Sequence, residues 1–428
     1  MHRRLVVCGI TLAMALVLGG CQGGDGDGTD PPAGEAPPGN TAPPTNTTPP
    51  PGNAPAPGGG STSGPCAVTI SDDITVPTRL SDTGAACDYL ITGSIFEIRS
   101  TLTIDPGVVI AVAKDVQFSV NGGEIIAVGR PDARITLRGE SPIQGFWSRI
   151  SISTSAGQVR FEYVDISDAG QVCASEVGFC PHAALSGFGG GQVTLANSTV
   201  SNSYVSGVVL GAELVAFANN RFFGNRWSGL VIDADKVALL DAASDYTGGD
   251  APNGMPYVSI ATGSTLAHAA AWPKLGAPYR INGYVNVEAR LTIAPGTTLL
   301  FDSSGDGNGA WMSIAPGGSI QAVGTPQERI TFARAPDAQY WGGVTFAVYN
   351  NGTANRFEYV DMSYGGDNQA LAFGMLSLDT AQVYVANSSF TNSARWGIDC
   401  YRQGYLVVGP GNTFGGNSTG DMRPNCGN

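Results

Sequence analysis

Lysine is almost missing from this chain of 428 residues: it holds only Lys114, Lys236 and Lys274. Lys plus Arg total 22 against 35 Asp plus Glu, and the formal net charge is −13. A nucleic-acid partner requires a basic footprint, so none is expected. Histidine is equally scarce, at His2, His182 and His268. No C-x-x-C pair occurs, which leaves little from which to build a zinc site. Helical periodicity is also lacking, which argues against a helical bundle. No apolar run reaches the length of a membrane span. What the chain has in abundance is glycine, 60 residues of it, with Val, Ile, Thr and Ser in short alternating runs.

The N-terminus reads as a targeting segment. Arg3 and Arg4 precede the apolar run Leu5 to Leu18, which is too short and wrongly flanked to span a membrane. It ends in Leu18-Gly19-Gly20-Cys21. Small residues before a cysteine resemble a bacterial lipobox. That resemblance implies cleavage before Cys21, lipid on Cys21, and a membrane partner through the lipid anchor. Gln22 in place of Asp implies the outer membrane over the inner. Losing Arg3 and Arg4 with the leader would take the net charge from −13 to −15, a surface suited to export. Residues 22–65 hold 12 Pro and 11 Gly and almost no large apolar side chain. Such a segment cannot offset its own ordering entropy and is expected to act as a disordered tether. At about 3.1 Å per residue it would reach on the order of 100 Å.

The domain expected over residues 66–428 repeats itself. Leu102-Thr-Ile-Asp-Pro-Gly107, Arg160-Phe-Glu-Tyr-Val-Asp-Ile-Ser167 and Val193-Thr-Leu-Ala-Asn-Ser198 return about 190 residues later. The second set is Leu291-Thr-Ile-Ala-Pro-Gly296, Arg356-Phe-Glu-Tyr-Val-Asp-Met-Ser363 and Val383-Tyr-Val-Ala-Asn-Ser388. Two halves follow, about 66–240 and 241–428. Each half is built from units of 23 to 25 residues, the scale of a solenoid. Asparagine pairs five apart mark the unit: Asn197 with Asn202, Asn220 with Asn225, Asn387 with Asn392, Asn412 with Asn417. Stacked coils would pile these asparagines into a ladder whose amides bond along the axis. Asn and Gly also accept the positive φ of sharp corners. Asp105-Pro-Gly107 and Ala294-Pro-Gly296 read as type II turns.

Further blocks complete the pattern: Gly122-Gly-Glu-Ile-Ile-Ala-Val-Gly129 with Gly317-Gly-Ser-Ile-Gln-Ala-Val-Gly324, Arg134-Ile-Thr-Leu with Arg329-Ile-Thr-Phe, and Trp147 with Trp341. In this order the blocks resemble bacterial right-handed parallel β-helix surface proteins of the pectin-lyase-like fold. The resemblance implies an all-β, single-stranded β-helix solenoid. Lyases, hydrolases, adhesins and scaffolds share that fold, so it does not fix an activity.

Six cysteines remain beyond the leader and Cys21: Cys66, Cys87, Cys173, Cys180, Cys400 and Cys426. An even number in an oxidising compartment suggests three disulfides, with nearest-neighbour pairing the simplest of fifteen connectivities. The candidate chemistry lies in the doubled F-E-Y-V-D segment. It would group Arg160, Glu162 and Asp165, and again Arg356, Glu358 and Asp361, with Phe161, Tyr163 and Ile166 packed inward. An Arg base beside carboxylates would suit a polysaccharide lyase, and paired carboxylates a hydrolase. Solvated Arg–Glu pairing between coils explains the same residues. The enzyme steps Asn-Thr-Asp, Gly-His-Gly and Arg-Ile-Lys are missing. Neither His182 nor His268 sits in a triad-like context. Asp302, Asp306 and Asn308 alternate with Gly in an acidic loop like half of a calcium site, though Ser313 stands where the closing Glu belongs. Calcium is the one cofactor this suggests. The expected role is a non-catalytic, surface-anchored binding or scaffolding protein with a polysaccharide or protein partner. A polysaccharide lyase or hydrolase is the alternative.

Overall fold

The computed structural model describes residues 65–152, 157–171, 183–303, 309–347, 350, 354–367, 373–401, 404–424 and 426. The expected leader, Cys21 and the tether lie outside them. So do Cys173, Cys180, His182, Asp306 and Asn308.

Every pair of named strands is parallel, and each strand bonds to its equivalent one coil away. Five sheets result. One has 13 strands and runs through both halves. The first half adds a seven-stranded and a six-stranded sheet, and the second half adds another of each. Each coil therefore presents three faces. The alternating pattern puts every second residue inside. One inner column of the long sheet runs Phe96, Phe118, Ile150, Leu185, Val208, Leu230 and Val258. It continues through Tyr279, Leu299, Phe332, Met362, Phe390 and Phe414. At about 4.8 Å per rung the column is roughly 58 Å long.

The two halves are not stacked in phase. Thr101–Ile104, Val109–Val112 and Gln117–Val120 lie in the six-stranded, seven-stranded and long sheets in turn. Their counterparts Arg290–Ile293, Thr298–Phe301 and Trp311–Ile314 lie in the second half's six-stranded sheet, the long sheet and the second half's seven-stranded sheet. Equivalent segments are thus displaced by one face. The step occurs where Ser228–Ile232 pairs with Met255–Ile260, with a register shift between Ser228 and Leu230. The short 3₁₀ helix Ala234–Leu239 follows and fills the neighbouring face. It packs between Glu213–Ala218 on one side and Ser264–Leu266 and Ala270–Trp272 on the other. Trp272 Nε1 donates to its Ala234 carbonyl at 3.2 Å.

The asparagines divide into two kinds. Asn197, Asn202, Asn387 and Asn392 take φ of 49° to 57° and turn the corners. Asn220 and Asn225 are buried and brace the preceding coil. Asn220 Oδ1 accepts Ser198 N–H at 3.1 Å and Asn220 Nδ2 donates to Leu195 O at 2.8 Å. Asn225 does the same with Ser203 N–H at 3.0 Å and Val200 O at 3.1 Å. Asn412 and Asn417 repeat the motif on Ser388 N–H and Ser393 N–H, each at 3.0 Å. The bracing runs along the axis, but chiefly from amide to backbone. Amide-to-amide contacts join Asn225 with Asn253 at 2.9 Å and Asn219 with Asn197 at 3.3 Å. A backbone group left unpaired in the core costs more than an amide left unstacked, so the buried amides satisfy the corners first.

Gly107 and Gly296 take φ of 89° and 75°, as the type II turns require. Gly207 admits the close approach of the next coil, since a Cβ there would lie 2.7 Å from Gly229 O. Trp147 and Trp341 are fully buried, and each indole donates at 2.8 Å to a carbonyl of the F-E-Y-V-D-x-S segment, Ser167 and Ser363. Disulfides Cys66–Cys87 and Cys400–Cys426 pin the two ends.

Candidate functional site

The doubled F-E-Y-V-D segment does not assemble a catalytic trio. Tyr163 and Tyr359 sit at corners with φ of 54° and 51° rather than inside the core. The corner sends Arg160 and Glu162 to one sheet and Asp165 to the next. Arg160 Nε bonds Glu162 Oε1 at 2.7 Å within its own strand, and Arg356 Nε bonds Glu358 Oε2 at 2.9 Å. The pairing is therefore within a strand and not between coils. Asp165 is gripped in a fork by Arg134, at 2.8 and 2.7 Å, and Asp361 by Arg329, at 2.8 Å twice. Arg134 Nη1 also reaches Asn197 O at 2.9 Å, which ties three coils together. The Arg329 fork holds the Asp361 carboxyl below its ordinary range. These are bracing ion pairs, and Arg134 and Arg329 were read in the sequence only as parts of coil-building blocks.

Asp302 is likewise engaged. Arg280 Nε bonds it at 2.7 Å, and Arg280 Nη2 also holds Asp337 at 2.9 Å while the guanidinium lies over Tyr257. Burial raises the Asp302 pKa against the pull of Arg280. A cation at Asp302 would meet this guanidinium. Among the described residues no three His, Cys, Asp or Glu side chains gather as a metal cage. His268 Nδ1 lies 2.8 Å from Asp235 Oδ2 at the surface.

A different cluster stands out at the last coils of the second half. Arg395 lies 5.3 Å over the Phe373 ring, Phe373 lies 6.2 Å from Tyr401, and Arg423 lies 5.6 Å over Tyr401. Phe373 and Tyr401 are 40% and 42% exposed, large values for such rings. Arg423 Nη1 donates to Asp399 Oδ1 at 3.0 Å. Asp399 itself is 1% exposed, and its Oδ2 has no hydrogen-bond partner among the described residues. Burial pushes its carboxyl above the ordinary range, and the nearby Arg423 opposes that. The first half lacks the Asp399–Arg423 pair. At the positions of Asp399 and Arg423, strands Ser206–Leu210 and Ser228–Ile232 carry Val209 and Val231. A departure of this kind inside a duplicated frame is not needed to build coils. Sequence reading passed over Asp399 because one polar residue in an alternating strand looks like ordinary outer surface.

The first half has an aromatic cluster of its own at the corresponding corner. Arg226 lies 4.4 Å over Tyr204, and Tyr204 and Trp227 are 38% and 39% exposed. A polar recess of about 380 Å³ opens elsewhere, between Arg99, Thr101, Glu124 and Gln158. Thr101 Oγ1 already donates to Glu124 there, at 2.7 Å.

Residues 272–379, a quarter of the chain, match the family model described as a pectate-lyase-like beta helix domain. This is a parallel β-helix of the pectin-lyase-like kind. The matched segment lies wholly in the second half of the β-helix. No curated protein and no solved structure matches the chain.

Proposed function

We propose that this β-helix is a binding protein of the bacterial envelope, held at the outer membrane by lipid on Cys21 and a flexible tether, and that it takes glycan without turning it over. The observation that carries the reading is the run Arg395, Phe373, Tyr401, Arg423 and Asp399. Exposed aromatic faces suit the C–H faces of sugar rings and guanidinium groups suit their hydroxyls, while the buried Asp399 carboxylate holds Arg423 in place. The carboxylates that the sequence offers for chemistry are each engaged by an arginine. A lyase or hydrolase is the second reading. Asp399 is the observation that favours it, because a carboxyl raised by burial beside an arginine is a form that acid catalysis uses.

One experiment separates these. The full chain is incubated with polygalacturonate, alginate, arabinoxylan and peptidoglycan, and both retained binding and new reducing or unsaturated ends are measured. Binding to at least one polymer without new ends is expected, weakened at least tenfold by Phe373→Ala with Tyr401→Ala. Turnover abolished by Asp399→Asn would replace the first reading by the second. Failure to bind any of the four would end the glycan reading. For the anchor, Cys21→Ser is expected to release the protein from membranes and abolish acyl labelling; unchanged membrane retention would refute the anchor.

A further inference from the structure

All strands of the long sheet run the same way, so the sheet has one flank where strands begin and another where they end. In the first half the chain enters this sheet from the seven-stranded one. Tyr204, Arg226 and Trp227 stand just ahead of Ser206–Leu210 and Ser228–Ile232, on the flank where strands begin. In the second half the chain leaves the long sheet for the other seven-stranded sheet. Phe373 and Arg395 stand just ahead of Gly374–Leu378 and Trp396–Cys400 in that sheet, on the flank where long-sheet strands end. The two clusters occupy the same kind of corner in their repeats. The one-face step at Ser228–Ile260 places them on opposite flanks of one sheet.

We infer that the chain is bivalent: it holds two separate glycan strands, one on each flank of the long sheet, and bridges them. This rests on the glycan-binding reading above. Both corners pair an arginine with an exposed ring, Arg226 with Tyr204 at 4.4 Å and Arg395 with Phe373 at 5.3 Å. Strands of three to six residues lie between the flanks, a width of about 10 to 20 Å. Along the axis, the rungs Ser228–Ile232 and Ser389–Thr391 are six apart, about 29 Å. A straight polymer lying along either flank cannot touch the other. Two halves stacked in phase would instead have lined both clusters along one flank and favoured a single long ligand.

The test uses the full chain, shown monomeric by sedimentation, and the same four polysaccharides, each soluble or coated on beads. Short oligomers of whichever polymer binds are expected to titrate two sites per chain, and coated beads are expected to aggregate. Arg226→Ala with Trp227→Ala should halve the stoichiometry and abolish aggregation while binding persists. Arg395→Ala with Phe373→Ala should do the same. If Trp227→Ala fails to fold, Arg226→Ala with Tyr204→Ala replaces it. One site per chain, or loss of all binding from either pair, would overturn bivalency and leave glycan binding standing. No binding by the unaltered chain would overturn both.

Discussion

Replacing Asn225 by Ala tests the buried bracing that holds neighbouring coils. Asn225 is 1% exposed, and its side chain serves Ser203 N–H, Val200 O and Asn253 Oδ1. Truncation leaves the Ser203 N–H buried with its acceptor gone, which costs about 1–3 kcal/mol. Val200 O loses one donor. Asn253 Oδ1 keeps the Asn225 backbone N–H at 3.1 Å, so it is not orphaned. The sum should be about 2–4 kcal/mol, near the upper end of single-residue effects. Asn202→Gly is the contrast. It keeps the corner φ of 54° accessible and loses one half-buried hydrogen bond, to the Asp168 carboxylate at 2.7 Å, at the low end of about 1.5–3 kcal/mol. Urea unfolding measures the totals. Because coils contact chiefly their neighbours, amide exchange should rise locally, by roughly a hundredfold around Ser203, for Asn225→Ala. Less than 0.5 kcal/mol for Asn225→Ala, or a larger loss for Asn202→Gly, would refute the assignment of bracing to the buried amides.

Three further outcomes follow from the charged groups. Asp361 is held below its ordinary pKa by Arg329, so it adds stability that is present above the unfolded carboxyl range and lost as pH falls through the folded value. Asp361→Asn should therefore destabilise at pH 7 and much less at pH 2, and equal losses at both would contradict the ion pair's role. Asp399 has the opposite sign. Its charged form is penalised in the folded state, so Asp399→Asn should raise the unfolding midpoint at pH 7, with the gain vanishing below about pH 4. A large destabilisation at pH 7 would show that its charge is needed for the fold instead. Chelator should leave the melting temperature unchanged, since Arg280 already occupies Asp302. A calcium-dependent rise of several degrees would establish the acidic loop as a metal site.

Much of the architecture is legible in the sequence. The doubled blocks, the short alternating runs and the Pro-Gly turns each encode a local event, and a solenoid is a sum of local events. The cysteines at the two ends pair as neighbours for the same reason. Tyr163 was misread because alternation was carried through a corner, where φ turns positive and the period of two stops. The face step left no mark in the repeated blocks, which are alike in both halves. It lies in residues 233–256, where the repeat lapses and the helix Ala234–Leu239 takes a strand's place. The bracing of Asp165 by Arg134 spans 31 residues, a coil and a loop, and only the register brings them together. The aromatic corners were invisible for a similar reason, since Phe373, Tyr401 and Arg423 come from three successive coils.

The one-face step underlies the two-sided reading, and cysteine cross-linking tests it most directly. In the stepped arrangement Val231 stacks on Ser259 in the adjacent coil, at a rung spacing of about 4.8 Å that a disulfide spans readily. Val231→Cys with Ser259→Cys should oxidise to a bond that mass spectrometry detects. If the second half continued in phase, the equivalent partner of Val231 would instead be Thr265, in the strand Ser264–Leu266. Cross-linking of Val231→Cys with Thr265→Cys, and not with Ser259→Cys, would contradict the account.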